Sequence, residues 1–236
     1  MGYEKISLNP GFNMVGVQFA KVGGDNLLVA TVGSLDDKMA GFDEDEIFAT
    51  EMRIWDGNGY DTYGWSGTSG TDVYDDSSYD NQWLDSITME AIDTTAAAGS
   101  GFWIKAEKAG TMTISGEVPT EPSVTIQLKP GFNMVANPYP GEVTISEFGT
   151  LSENMAGFDE DEIFATEMRV WDGNGYDTYG WSGTSGTDVY DDASYDNLWL
   201  DSITMEASDK TIPFGTAVWI KTDTTGSITF KNPTSN

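Results

Sequence analysis

Apolar residues alternate with polar ones along this chain, or cluster in short runs bounded by Gly, Pro, Asn and Asp, and little of it carries a helical period. In the first half the pattern predicts strands at Lys5–Leu8, Phe12–Phe19, Leu27–Thr31, Ile47–Trp55, Tyr60–Trp65, Trp83–Met89, Gly101–Ala106 and Thr111–Gly116. Seven or eight short strands in about 115 residues is the range of a β-sandwich or a partly open barrel. The unit begins and ends with strands, so the first is expected to pair near the last. One short helix is expected at Leu35–Ala40, with Ser34 as N-cap, Asp36 and Asp37 in its first turn and Gly41 as its stop.

The same pattern then repeats. "PGFNMVGVQF" at Pro10–Phe19 returns as "PGFNMVANPY" at Pro130–Tyr139. The block Met39–Ala91 returns at Met155–Ala207 with three changes: Ile54 to Val170, Ser77 to Ala193 and Gln82 to Leu198. "GFWIK" from Gly101 matches "AVWIK" from Ala217. The period is a whole domain, so the chain is read as an all-β tandem: domain one over 1–118, a Pro-containing linker over 119–122, and domain two over 123–236. Divergence concentrates after Phe19 and over Asp93–Ser100, where sequence and length both drift.

Within the near-identical block, "MRIW" reads as a strand, "DGNG" as a turn in which Asn58-Gly59 supplies positive φ, and "YDTYGW" as the returning strand. The glycines at Gly57, Gly59 and Gly64 superficially resemble a phosphate loop. Such a loop must open a helix, and Tyr60–Trp65 reads as strand.

Composition narrows the function classes. The 236 residues include 39 acidic and 11 basic ones, a formal charge of -28 divided evenly between the halves. That charge opposes nucleic acid and anionic lipid surfaces, and no apolar stretch reaches the length of a membrane span. Aromatics make up 12% of residues, too many for a disordered acidic chain. Cys and His are both absent, so neither a Ser–His–Asp nor a Cys–His site can be assembled. A paired-carboxylate glycosidase stays formally open, but two small near-identical domains do not offer one large cleft. The expectation is a protein that is not an enzyme.

Two binding chemistries have candidate residues. Calcium takes six to eight oxygens, and Asp56, Asn58 and Asp61 supply them at short spacing, as do Asp72, Asp75, Asp76 and Asp80. The second copy repeats them as Asp172, Asn174 and Asp177, and as Asp188, Asp191, Asp192 and Asp196. The EF-hand pattern fails, since Tyr60 and Gly67 stand where ligands are needed, and a diffuse counter-ion cloud serves the same charges. Glycans need aromatic faces, for which Tyr63 and Tyr79, with Tyr179 and Tyr195, are the candidates, while Trp55, Trp83 and Trp103 are expected in the core. An isopeptide bond between Lys105 and Asn13, or Lys221 and Asn133, is a further expectation from their matched strands, against the simpler role of Lys as an edge-strand charge.

The order "PGFNMV … EIFATEMRVWDGNGYDTYGW … GTAVWIK … GSITF" resembles a repeated β-domain of uncharacterised secreted and surface proteins of bacteria. The resemblance covers both halves and rests on turn and core residues. It implies an extracellular or cell-surface location and carries no catalytic residues over. Met1-Gly2 leads straight into a strand without a charged or apolar leader, and the expectation is a mature form. The leading expectation is a structural protein that self-assembles into a filament, layer or sheath through its domain ends, with itself as partner. The alternative is a glycan-binding adhesive module.

Overall fold

The structure is a computed structural model and describes residues 2–20, 27–28, 34–36, 39, 41, 48–68, 77–92, 94–157, 164–184 and 193–235. The first half contains β1 (Gly2–Leu8), β2 (Gly11–Gly16), β3 (Leu27–Leu28), β4 (Ser34–Leu35) and β5 (Thr50–Trp55). It continues with β6 (Tyr60–Trp65), β7 (Trp83–Asp85), β8 (Thr95–Ala96), β9 (Gly101–Ala106) and β10 (Gly110–Gly116). The second half repeats these as β11 (Ser123–Leu128), β12 (Gly131–Ala136), β13 (Val143–Thr144), β14 (Thr150–Leu151) and β15 (Thr166–Trp171). It ends with β16 (Tyr176–Trp181), β17 (Trp199–Asp201), β18 (Thr211–Ile212), β19 (Ala217–Thr222) and β20 (Gly226–Lys231).

The protein is all-β, and its antiparallel sheets do not close into a barrel. Each half has a five-stranded sheet, in the orders β2-β9-β5-β6-β7 and β12-β19-β15-β16-β17. Each also has a three-stranded sheet, β1-β10-β4 and β11-β20-β14, and a two-stranded pair. The first strand of each half pairs with its last, Gly2 opposite Gly116 and Ser123 opposite Lys231. Helical geometry among the described residues is confined to three single 3-10 turns, at Ser77–Tyr79, Ile145–Glu147 and Ala193–Tyr195. None is long and apolar enough to cross a membrane.

The helix expected at Leu35–Ala40 does not begin there. Ser34 and Leu35 are a strand against Thr113 and Met112, and the Asp36 carboxylate accepts from the Thr111 amide at 3.0 Å. Tertiary pairing and burial of Leu35 override a local capping signal; residues 37, 38 and 40 lie outside the described ones. Several strands are also shorter than expected. Strand β7 stops at Asp85, whose carboxylate accepts from the Ile87 and Thr88 amides at 2.9 and 2.8 Å and turns the chain.

Alternation sorts each five-stranded sheet into two faces. One face, with Val15, Met52, Tyr63, Trp65, Trp83 and Ile104, packs onto the three-stranded sheet and forms the core of the first half. The matched residues Val135, Met168, Tyr179, Trp181, Trp199 and Ile220 form the second core. The opposite face carries a second apolar patch, buried against the other half, beside the ion-paired Glu51, Arg53 and Lys105. Met14, Trp103, Ala136, Ala217 and Trp219 make a third cluster across the junction, flanked by Trp55, Met134 and Trp171. Of the tryptophans expected in the core, Trp83 is there, whereas Trp103 and Trp55 belong to this junction.

The junction is reciprocal. The Trp55 indole donates to the Phe132 carbonyl at 2.8 Å, and the Trp171 indole to the Phe12 carbonyl at 2.8 Å. The Gly16 amide donates to Gly215 O and the Ala136 amide to Gly99 O, both at 2.8 Å. Close approach is possible because Gly16 faces Ala136, and Gly101 faces Ala217. A Cβ on either glycine would stand 2.5 or 2.4 Å from the opposing alanine methyl.

Candidate functional site

The opening of the site is the hairpin β5–β6. Its turn is built differently from the expected Asn-Gly type. Positive φ falls on Gly57 (108°), not on Asn58 or Gly59. The reason is Asp56, whose Oδ1 accepts from the Asn58 and Gly59 amides at 2.6 and 2.7 Å and holds them in place. Those two backbone donors hold the Asp56 acid below the ordinary carboxylate range, and Asp172 is held down in the same way by Asn174 and Gly175.

This changes the standing of the carboxylates proposed for calcium. Asp56 and Asp172 serve as turn caps, and Asn58 and Asn174 sit at exposed tips. Asp61 is exposed on β6, while Asp177 pairs with Lys210. Asp80 and Asp196 follow the 3-10 turns at Ser77–Tyr79 and Ala193–Tyr195. Asp72, Asp75, Asp76, Asp188, Asp191 and Asp192 lie outside the described residues. Among the described residues no three acidic side chains come together.

The tyrosine expectation is corrected in part. Tyr63 and Tyr179 are 9% and 2% exposed and belong to the cores, because they share strand parity with Trp65 and Trp181. Tyr79 and Tyr195 are exposed, on the 3-10 turns, where their carbonyls accept from Ser66 and Ser182. The proposed isopeptide partners lie on opposite faces of one sheet. Lys105 pairs across from Phe12, and Asn13 across from Ile104. The Lys105 ammonium reaches Glu51 at 3.1 Å, while the Asn13 amide closes the β1–β2 turn through Asn9.

The aromatics that the fold does gather are others. Hairpin β5–β6 presents Trp55 and Tyr60 on the junction side, with ring centroids 5.1 Å apart, and β15–β16 presents Trp171 and Tyr176 at the same spacing. Each tryptophan crosses the junction to meet a tryptophan of the other half edge-on, Trp55 with Trp219 at 5.8 Å and Trp171 with Trp103 at 5.6 Å. Two cavities open between them. One, of about 220 Å³, is lined by Phe12, Arg53, Tyr60, Trp103, Trp171 and Tyr176. The other, of about 190 Å³, is lined by Trp55, Tyr60, Phe132, Arg169, Tyr176 and Trp219. Tyr60 and Tyr176 line both, so the two cavities form one groove across the junction.

Each cavity holds one guanidinium. Arg53 lies 5.2 Å over the Phe12 ring and Arg169 5.2 Å over the Phe132 ring. Both are fixed from behind: Arg53 Nε and Nη2 donate to Glu51 at 3.0 and 2.6 Å, and Arg169 repeats this with Glu167. Burial alone would raise the Glu51 acid, but its bonds and charge pairing with Arg53 and Lys105 prevail and lower it. Burial likewise lifts the Tyr176 phenol above its ordinary value, partly offset by Trp219 and Arg169. The groove is therefore pre-formed, with aromatic walls and a few oriented donors, which are the general features of a small-molecule site.

Tyr60 was legible as an aromatic but not as a site residue. Its parity with Trp55 and Arg53, against the core parity of Tyr63, was the available signal. No protein-family model matches the chain, and no curated protein or solved structure gives a match to it.

Proposed function

We propose that this chain is a non-enzymatic, exported surface module that binds glycans, and that its duplication builds one composite site. The observation that carries the reading is the groove containing Tyr60 and Tyr176, which takes aromatic walls from both halves. Sugar rings have apolar faces and hydroxyl edges, and aromatic rings with phenol and guanidinium tips complement both.

Charge supports a neutral ligand over an ionic one. The net charge of -28 repels anions at long range, and Arg53 and Arg169 within the groove disfavour cations. The extracellular location rests on the sequence resemblance. Self-assembly through a repeated head-to-tail contact is the weaker reading, because the contact between the halves is reciprocal, and contacts of that kind close on two copies instead of propagating.

A glycan array tests the proposal. Binding to at least one class of neutral glycan is expected, and it should disappear when Tyr60 and Tyr176 are both replaced by Ala. A blank array, or binding unchanged in that variant, contradicts it.

A further inference from the structure

The aromatic groove is bounded at one end by Phe12 and Trp171. Both residues also line a third cavity between the halves, of about 370 Å³, whose walls include Glu4 and Asn13 on one side and Asp172 and Phe214 on the other. Three cavities thus adjoin one another, the first two sharing Tyr60 and Tyr176 as walls and the third sharing Phe12 and Trp171 with its neighbour.

Glu4 is the anomaly in this end. It shares the inward face of β1 with Ile6 and Leu8, and its matched position on β11 is Val124. Among the described residues no hydrogen bond or ion pair reaches its carboxylate. Burial pushes its acid up to about 7. A half-buried carboxylate without a partner is costly, and a ligand donor would offset that cost.

The opposite wall is equally one-sided. Phe214 stands where the first half has Ala98, in the loop 213–216 that corresponds to 97–100. Two halves that are nearly identical over their hairpins therefore differ at the residues that build this end. The remaining charges around the cavity do not satisfy Glu4: the Asp172 carboxylate caps its own turn, and Lys5 lies on the outward face of β1.

We infer that the Glu4 cavity is an additional subsite at one end of the glycan groove, taking one further neutral sugar unit against Trp171 and Phe214, with Glu4 accepting its hydroxyl hydrogens. This rests on the glycan reading. Its consequence is direction. The frame is close to two-fold, yet the opposite end has Val124 in place of Glu4 and Ala98 in place of Phe214, so beside Trp55, the match of Trp171, it lacks both that acceptor and that second ring. A bound chain extends past the central groove on the Glu4 side only.

The test is calorimetric titration of the full chain with graded gluco- and manno-oligosaccharides, from disaccharide to hexasaccharide. In the series that binds, affinity should rise with length and then level off. At pH 8, where the Glu4 carboxylate is ionised, Glu4→Gln and Glu4→Val should weaken the longest members by about tenfold, the scale of a hydrogen bond to a charged group, and leave the shortest unchanged. Glu4→Val keeps the fold testable, since Val already occupies the matched position. Equal affinity of wild type and both variants at every length overturns the subsite while leaving the groove intact. If no member of either series binds the wild type, the glycan reading fails and the subsite falls with it.

Discussion

Trp55 donates its indole hydrogen to the backbone carbonyl of Phe132 at 2.8 Å, 77 residues away in the other half of the chain. Trp171 returns the same bond to Phe12. The pair locks the two hairpins over the junction and fixes the walls of the groove. Replacing both tryptophans by Phe keeps a ring but removes two donors, at about 1 kcal/mol each. Urea unfolding should show that loss, and hydrogen exchange at the Gly16 and Ala136 amides should accelerate. Unchanged exchange at those two amides would mean that the indole bonds do not hold the junction.

Gly16 and Ala136 occupy matched positions and face each other, as do Gly101 and Ala217. A glycine on one side makes room for a methyl on the other. Gly16→Ala should therefore destabilise by about 1–3 kcal/mol through overpacking. Adding Ala136→Gly should recover most of it, a strong coupling of the kind expected between residues in contact. Additive losses in urea midpoints would contradict this arrangement.

Glu4 makes a pH prediction whose sign is opposite to that of the turn carboxylates. Its acid is raised to about 7 by burial, so the folded chain retains a proton that the unfolded chain releases nearer the ordinary value of 4.5. Its ionisation thus costs stability increasingly as pH rises through that window. Glu4→Gln should match wild type near pH 4 and be the more stable protein above pH 7, in thermal scans at matched salt. Lys5 and Asp172 also line this cavity and are unchanged in the comparison. A difference that stays constant with pH would show that Glu4 titrates normally.

Asp56 separates a turn cap from a calcium ligand. Asp56→Asn keeps an oxygen that accepts from the Asn58 and Gly59 amides, whereas Asp56→Ala loses it. The melting temperature should fall for the Ala variant and change little for the Asn variant, with or without added Ca²⁺. A Ca²⁺-dependent rise in wild type that vanishes in Asp56→Asn would assign the carboxylate to the metal instead.

Strand content, the duplication and the pairing of first with last strand were legible from period-two patterning, because those features follow from local alternation. The junction was not. Trp55 and Trp103 look like core residues in sequence, and nothing local distinguishes a face buried by its own domain from one buried by the next. Tyr60 and Tyr63, three residues apart on one strand, fall on opposite faces, and only the register against Trp55 and Met52 shows which one meets the groove. Ser34 and Leu35 misled for a related reason: a helix-start signal was overridden by pairing with a strand nearly eighty residues downstream.

The most direct test of the composite groove is stoichiometry. Calorimetric titration of the intact chain with the longest oligosaccharide that binds should give one ligand per 236-residue chain, and Tyr60→Ala alone should weaken that single event as much as Tyr176→Ala alone. Two independent ligands per chain, each sensitive to only one of the two tyrosines, would show that the halves bind separately and would contradict the account.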